Sequence, residues 1–360
     1  MSVMGIGTKK FLKNFLSNKL MRTNYPFFGS VEMTRRCNSR CSFCPIGNEK
    51  SEIKKGEMST EDTKRVFDQF NELNILAASF LGGEPFLRKD LFEIAEYSSS
   101  NGIISQVSTN GLTLADTADE ATSAFDVIVV SLDTLDPELY KDIRGVDAFD
   151  RVVEGVKEAL ALQDKNHCNI LLNTVVCAKN IPDVREVVKF SREIGVSGIM
   201  IDFATFHEYW TDTQHENSRY DPKSMDWRNR KDEVKELVAD LIKMKNDYPI
   251  VTSRSYLKTF ITEDFNYRCY PYLFACVRKT GHVAIPCWDS SITEYYDILN
   301  GRTLKDLWFS DEVRKKREKV KNCSDCYMHC IVEPSKVLGA PAHNMMDLME
   351  WIVTFRKNRF

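Results

Sequence analysis

Cys37-Asn38-Ser39-Arg40-Cys41-Ser42-Phe43-Cys44 is the stretch around which the chain is read. Its three cysteines are spaced C-x3-C-x2-C. One tight loop of that length aims three thiolates at a single point. Cysteine thiolates hold iron–sulfur clusters, as a rule four to a cubane. A loop that offers three leaves one iron open, and an open position is what separates a catalytic metal site from a closed structural one. The same spacing also suits a zinc knuckle short of one ligand, or three unrelated buried thiols.

Around this loop the sequence alternates short apolar runs with helical periodicity. Residues 28–34 read as a strand that leads into the cysteines. Further strands are expected over 77–81, 103–108, 127–131, 169–176 and 198–203. Helices are expected over 58–73, with Ser59 or Thr60 as cap, and over 91–101, 114–124, 149–162, 183–194 and 231–246. Six strand-then-helix units require a parallel sheet with right-handed crossovers.

The 360 residues are 43% hydrophobic and 28% charged with net charge −3, the composition of an ordinary globular protein with no general attraction to nucleic acid. No apolar run approaches the ~20 residues of a membrane span. The N-terminus lacks the apolar core and cleavage site of a signal peptide. Eleven cysteines without such a signal point to metal or redox chemistry in a reducing cytoplasm.

Each motif of the series falls at the C-terminal end of a strand. After the second comes Gly82-Gly83-Glu84-Pro85, where two glycines admit close ligand approach and Glu84 accepts hydrogen bonds from a cation. Thr109-Asn110-Gly111 after the third reads as a turn. The fourth ends in Ser131-Leu132-Asp133, with Arg144 downstream; a serine hydroxyl and a guanidinium together suit a carboxylate. The sixth runs into Asp202-Phe203-Ala204-Thr205-Phe206-His207-Glu208, where Asp202, His207 and Glu208 are candidate proton acceptors, and the acidic, aromatic loop that follows through Tyr220 suits a lid.

Past residue 250 the strand–helix rhythm stops. Cys269 and Cys287 flank a hairpin over 272–286 that carries Cys276 and turns at Lys279-Thr280-Gly281. A helix over 304–319 precedes Cys323-x2-Cys326-x3-Cys330, and a C-x2-C pair is a metal-binding signal. Cys168 and Cys177 read as buried small hydrophobes. Both ends are amphipathic. Phe11, Leu12, Phe15, Leu16 and Leu20 share one face of a basic helix over 9–22, and Met345 to Phe355 give a Met-rich stretch followed by basic residues. These ends suit packing on the core or peripheral contact with an anionic membrane surface.

C-x3-C-x-aromatic-C after a strand, with Phe43 as the aromatic, resembles the signature of the radical S-adenosylmethionine (SAM) superfamily. The resemblance implies an α/β fold: a partial (β/α)6 TIM-like barrel over 25–250 and a small auxiliary-cluster domain, similar to the twitch or SPASM domain, over 251–340. Terminal helices would occupy 1–24 and 341–360. It implies a [4Fe-4S] cluster on Cys37, Cys41 and Cys44 whose open iron chelates SAM. Reductive cleavage of SAM would give a 5′-deoxyadenosyl radical that takes hydrogen from a substrate C–H bond. Phe43, Gly83, Glu84, Ser131 and Arg144 become expected SAM contacts. Cys269, Cys287, Cys323 and Cys326 become expected ligands of a second [4Fe-4S] cluster, with Cys276 or Cys330 as substitutes. Two departures stand out. Five residues separate Gly281 from Cys287, one more than the usual pattern, and the full C-x2-C-x5-C-x3-C run is absent, so no third cluster is expected.

An electron donor such as flavodoxin or ferredoxin is implied as partner. The substrate stays open among a peptide, a sugar or alcohol, and a lipid-like molecule, with net oxidation or C–X/C–C bond formation. The ~25 residues before the first strand are too few for a leader-peptide-binding or cobalamin domain. The rival from another class is a non-catalytic zinc or iron–sulfur interaction module, which gives Gly82–Pro85 and the Ser131–Arg144 pair no role.

Overall fold

Alternating burial along the strands shows which side of the sheet faces the helices. In β3 (Ile104–Thr109) Ser105, Val107 and Thr109 are buried, while Ile104, Gln106 and Ser108 are partly open. A computed structural model of the chain describes residues 10, 13–14, 17–18, 24–48, 56–206, 219–263, 265, 267–288, 290–323 and 326–336. β1 (Phe28–Thr34), β2 (Ala77–Gly82), β3, β4 (Val127–Ser131), β5 (Asn169–Val176) and β6 (Gly198–Phe203) pair in parallel in sequence order, as the six-unit reading requires. This is an α/β parallel sheet of the barrel-like type.

The crossover helices are α1 (Thr60–Glu72), α2 (Leu91–Ser100), α3 (Leu114–Ala124), α4 (Pro137–Arg144) with α5 (Phe149–Asn166), and α6 (Val184–Ile194). α1 begins where Ser59 Oγ accepts from Asp62 N at 3.1 Å, and it buries Val66, Phe67 and Phe70. Phe67 stacks on Phe80 of β2 with ring centroids 5.0 Å apart. The other face of the sheet lines the barrel. Val127, Val129 and Leu171 form an apolar floor there with Met200 and Val251. Towards the strand C-termini the same face becomes polar, with Ser131 opposite Asn173 and Asp202 opposite Val175.

After α7 (Lys231–Met244) and α8 (Arg254–Thr262) the chain returns to this sheet. β7 (Phe274–Val277) lies parallel to β1; β8 (His282–Ile285) and β9 (Glu294–Asp297) follow antiparallel, giving the order β6-β5-β4-β3-β2-β1-β7-β8-β9. The expected hairpin is thus an extension of the barrel sheet, and one continuous core runs through both halves. The helix expected over 304–319 is two, α9 (Leu304–Trp308) and α10 (Asp311–Val320), because Ser310 Oγ accepts from Val313 N and starts the second. α11 (His329–Pro334) closes the described chain.

At the N-terminal end, Lys10 Nζ donates to the carbonyls of Asn101 and Gly102, and Asn14 Nδ2 to those of Pro26, Leu73 and Asn74. These polar residues hold the segment to the loops that enter β2 and β3. The apolar residues expected on its other side, and the whole of 341–360, lie outside the described residues. Among the described residues no helix is long and apolar enough to cross a membrane.

Candidate active site

The three early cysteines sit on the loop that leaves the C-terminal end of β1, Cys41 buried and Cys37 and Cys44 partly open. Two grips hold this loop. On one side lies the C-terminus of α4: Arg40 N donates to Arg144 O at 3.1 Å and Ser42 N to Ile143 O at 2.8 Å. Arg219 reaches Asp142 O at 2.6 Å, and Asp221 N donates to Ser42 O at 2.9 Å. The approach is close enough that Gly145, at φ +72°, has no room for a side chain: a Cβ there would stand 2.5 Å from Arg40 O.

On the other side lie the loops after β2 and β3. Gly83 N donates to Thr34 O and Glu84 N to Arg36 O, both at 2.8 Å. A Cβ on Gly82 or Gly83 would fall 2.1–2.2 Å from those same carbonyls, so the paired glycines serve backbone-on-backbone packing. Glu84 is 1% exposed. Its carboxylate accepts from Phe86 N, Thr109 Oγ1 and Asn110 N at 3.1, 2.9 and 2.7 Å. Burial pushes this carboxyl up to about 7, against the pull of those donors. A carboxylate has about four acceptor sites, so roughly one remains for a cation.

Polar hydrogens are directed at the sulfurs. Ser39 N lies 3.4 Å and Asn110 Nδ2 4.0 Å from Cys37 Sγ, and Arg144 Nη1 lies 3.8 Å from Cys41 Sγ. Burial raises the Cys37 and Cys41 thiols to about 12 and 11. Arg144 is itself buried, forms an ion pair from Nε to Asp133 Oδ2 at 2.6 Å, and stands 5.3 Å from the centre of the Phe43 ring. Its Nη2 is buried with no hydrogen-bond partner. Asp133 in turn accepts from Val175 N at 2.9 Å, and so anchors Arg144 to β5.

Ser131 and Asn173 are register partners across β4 and β5, and the Asn173 side chain bonds Asp202 on β6, leaving its Oδ1 without a partner. Burial raises the Asp202 carboxyl, and the backbone of His329 donates to it. Burial works to lower the His329 imidazole, but its ion pair with Glu333, reinforced by Asp202, holds it up at about 9. Asp202 therefore lies near the C-terminal end of β6 between Asn173 and the buried His329–Glu333 pair. His207 and Glu208 lie outside the described residues.

The second cysteine set converges on Tyr267, whose hydroxyl donates to Cys326 O at 3.0 Å. Burial and then the Cys326, Cys269, Cys323 and Cys287 sulfurs hold the proton on that hydroxyl. Cys276 is elsewhere, on the barrel-facing side of β7, bonded to Ser30 of β1. Cys330 is on α11 near Tyr256. Among the described residues no three metal-binding side chains are drawn together around a single ion. A tetrahedral zinc with bonds of about 2.3 Å needs its sulfurs nearly in contact, whereas a cubane sets its thiolates at separate corners. No disulfide joins the cysteines among the described residues.

Two parts of this site read from the sequence only as loop: the Thr109–Asn110 turn after β3, and Asp133 two residues after Ser131. Arg219 with Asp221, and Tyr267, are missed, and nothing in the sequence marks them.

A three-thiol loop thus stands at the mouth of the first strand of a parallel sheet. Residues 31–191 match the Radical SAM superfamily, and residues 216–350 match "Domain of unknown function (DUF3463)". The chain therefore carries a radical SAM domain followed by a C-terminal DUF3463 domain. It is 35% identical over 168 residues to a "Probable GTP 3′,8-cyclase" of Metallosphaera sedula, covering 46% of this chain and 52% of that protein. A namesake from Saccharolobus islandicus is 36% identical over 171 residues, covering 47% and 54%. The chain thus spans about half the length of the curated relatives it matches.

Among solved structures, Streptococcus suis SuiB bound to S-adenosylmethionine superposes with TM-score 0.63 at 20% identity, over 82% of this chain and 69% of that one. Native anSMEcpe with bound AdoMet superposes with TM-score 0.59 at 18% identity, over 81% and 82%. These likenesses are of fold.

Proposed function

We propose that this chain is a radical SAM enzyme that reductively cleaves S-adenosylmethionine and abstracts hydrogen from a substrate C–H bond. The observation that carries the reading is the cysteine loop itself: three thiols on one loop gripped from both sides, with N–H groups of Ser39, Asn110 and Arg144 directed at the sulfurs of Cys37 and Cys41. Buried thiols of such high pKa are poor thiolates alone, and a bound cluster supplies the positive charge that stabilises them. A [4Fe-4S] cluster held here would pass one electron from an external reductant to S-adenosylmethionine, and so would supply the cleavage to methionine and a 5′-deoxyadenosyl radical. The residues present fit both groups.

Cys37, Cys41 and Cys44 hold the cluster. Arg144, whose Nη2 is buried without a hydrogen-bond partner, and Ser131 would take the carboxylate and ribose of SAM, and Phe43 flanks Arg144. Glu84 offers its remaining acceptor site to the amino group of SAM, with the Gly83 backbone, packed on Arg36 O, as the expected contact beside it. Asp202 is the candidate proton acceptor at the mouth, and His207 and Glu208 keep that role as sequence candidates. Cys269, Cys287, Cys323 and Cys326, whose sulfurs all act on Tyr267, would hold a twitch-like auxiliary cluster.

Net oxidation or C–X/C–C bond formation follows, on a peptide, a sugar or alcohol, or a lipid-like substrate, with a flavodoxin or ferredoxin as electron source. The name of the cyclase relatives describes bond formation, which falls within this range. A reducing cytoplasm suits eleven cysteines with no disulfide among them. The test is anaerobic reconstitution, dithionite and SAM, followed by chromatography. Deoxyadenosine and methionine are expected, with roughly eight irons per chain, four for each cubane. Cys41→Ala should form no deoxyadenosine; wild-type protein that forms none, even with substrate, overturns the reading.

A further inference from the structure

Asn110 belongs to the turn after β3, yet its side chain points at the cysteine loop. It is 8% exposed. Its Oδ1 accepts from Leu112 N at 3.0 Å, and this fixes the orientation of the amide: the NH2 group must face the other way. There Nδ2 lies 2.7 Å from Asn38 Oδ1, 3.0 Å from Ser39 Oγ and 4.0 Å from Cys37 Sγ. Asn38 and Ser39 are the residues that follow Cys37 on the way to Cys41. The backbone of Asn110 is pinned as well, its N–H on Glu84 Oε2 at 2.7 Å, while Thr109 Oγ1 donates to Glu84 Oε1 at 2.9 Å and accepts from Gly111 N at 3.0 Å. Gly111, at φ +80°, lets the turn fold back against Val130 and Val152.

We infer that Asn110 is a positioning residue for the cysteine loop: it clasps the Asn38–Ser39 linker, fixes where Cys37 Sγ points, and donates towards that sulfur. Two anchors then set the loop. α4 holds its second half through Arg40 and Ser42, and Asn110 holds its first half. The grip through Asn110 ties the cysteines to Glu84, so the loops after β1, β2 and β3 move as one piece. Hydrogen bonds to ligating sulfur are among the determinants of a cluster's potential, and a donor stabilises the reduced, more negative state. The inference rests on the reading of Cys37 as a cluster ligand only for its effect on potential; the clasp itself belongs to the apo chain.

The test therefore has two arms, both on the full-length chain. In the apo protein, alkylation by iodoacetamide is followed cysteine by cysteine by mass spectrometry. Asn110→Ala and Asn110→Asp should speed Cys37 modification by about five- to tenfold, the opening gained when one or two hydrogen bonds are lost, with Cys168 and Cys177 unchanged. Asn110→Asp separates shape from donation, since it keeps the acceptor for Leu112 N but turns a second oxygen towards Asn38, Ser39 and Cys37. Asn38→Ala, at an exposed position, makes the same test without touching the core and should also free Cys37. In the reconstituted protein, the potential of the Cys37 cluster should shift negative in both Asn110 variants.

Unchanged Cys37 alkylation in Asn110→Asp and Asn38→Ala overturns the clasp. Faster alkylation with an unchanged potential overturns the donation to sulfur. If wild-type protein makes no deoxyadenosine while Cys37 is still freed by these substitutions, the proposed activity fails and the clasp stands.

Discussion

Glu84 shows how far a side chain's chemistry departs from its motif. As part of Gly-Gly-Glu-Pro it reads as an acceptor for a ligand's cation; in the fold it ties three loops together, with three internal donors on its two oxygens. Its carboxyl is raised from 4.5 to about 7 by burial, so the folded chain keeps this proton where the unfolded chain has lost it. The sign follows: Glu84 stabilises the apo fold fully below pH ~4.5, and that contribution is lost as pH rises to ~7. Urea melts of apo protein should show stability falling across that window, and Glu84→Gln should flatten the fall; an identical slope in the variant contradicts the assignment. The Asp133–Arg144 pair gives a second residue-scale prediction. Asp133→Asn leaves a buried guanidinium without its counter-charge, a loss of about 3 kcal/mol, measurable in the same melts. That Asp133 serves Arg144 could not be read from the sequence, because the pair is closed by a turn of chain and not by spacing.

At the scale of elements, what was legible followed periodicity. β1 to β6 and the long helices announce themselves through alternation and caps, as Ser59 does for α1. α4 did not: its eight residues, Pro137–Arg144, are too few for a periodic signal, though Asp136 caps it and Gly145 ends it in the left-handed region. Yet α4 supplies the carbonyls that hold Arg40 and Ser42. Gly145→Ala should therefore act on the cluster more than on the fold. The strain and the collision with Arg40 O come to about 1–2 kcal/mol, while iron bound after reconstitution should fall well below wild type. Full iron loading in a folded Gly145→Ala protein contradicts this role for the helix end.

For the molecule as a whole, the C-terminal half was legible as a cysteine-bearing hairpin but not as part of the barrel sheet. Strand pairing between β1 and β7 joins residues some 245 apart, such as Phe28 and Phe274, and no local pattern encodes it. With one core running through both halves, calorimetry of apo protein should give a single unfolding transition; two resolved transitions would mean separate units. The gathering of Cys269, Cys287, Cys323 and Cys326 around Tyr267 predicts that Cys323→Ala with Cys326→Ala lowers iron from roughly eight to roughly four per chain. That variant, left with the early cluster alone, also permits the most direct test of an iron that no protein side chain occupies. Reduced with dithionite, its electron paramagnetic resonance spectrum should change in g-values when S-adenosylmethionine is added. A spectrum indifferent to S-adenosylmethionine, from a fully loaded and fully reduced cluster, would mean that the fourth iron is closed.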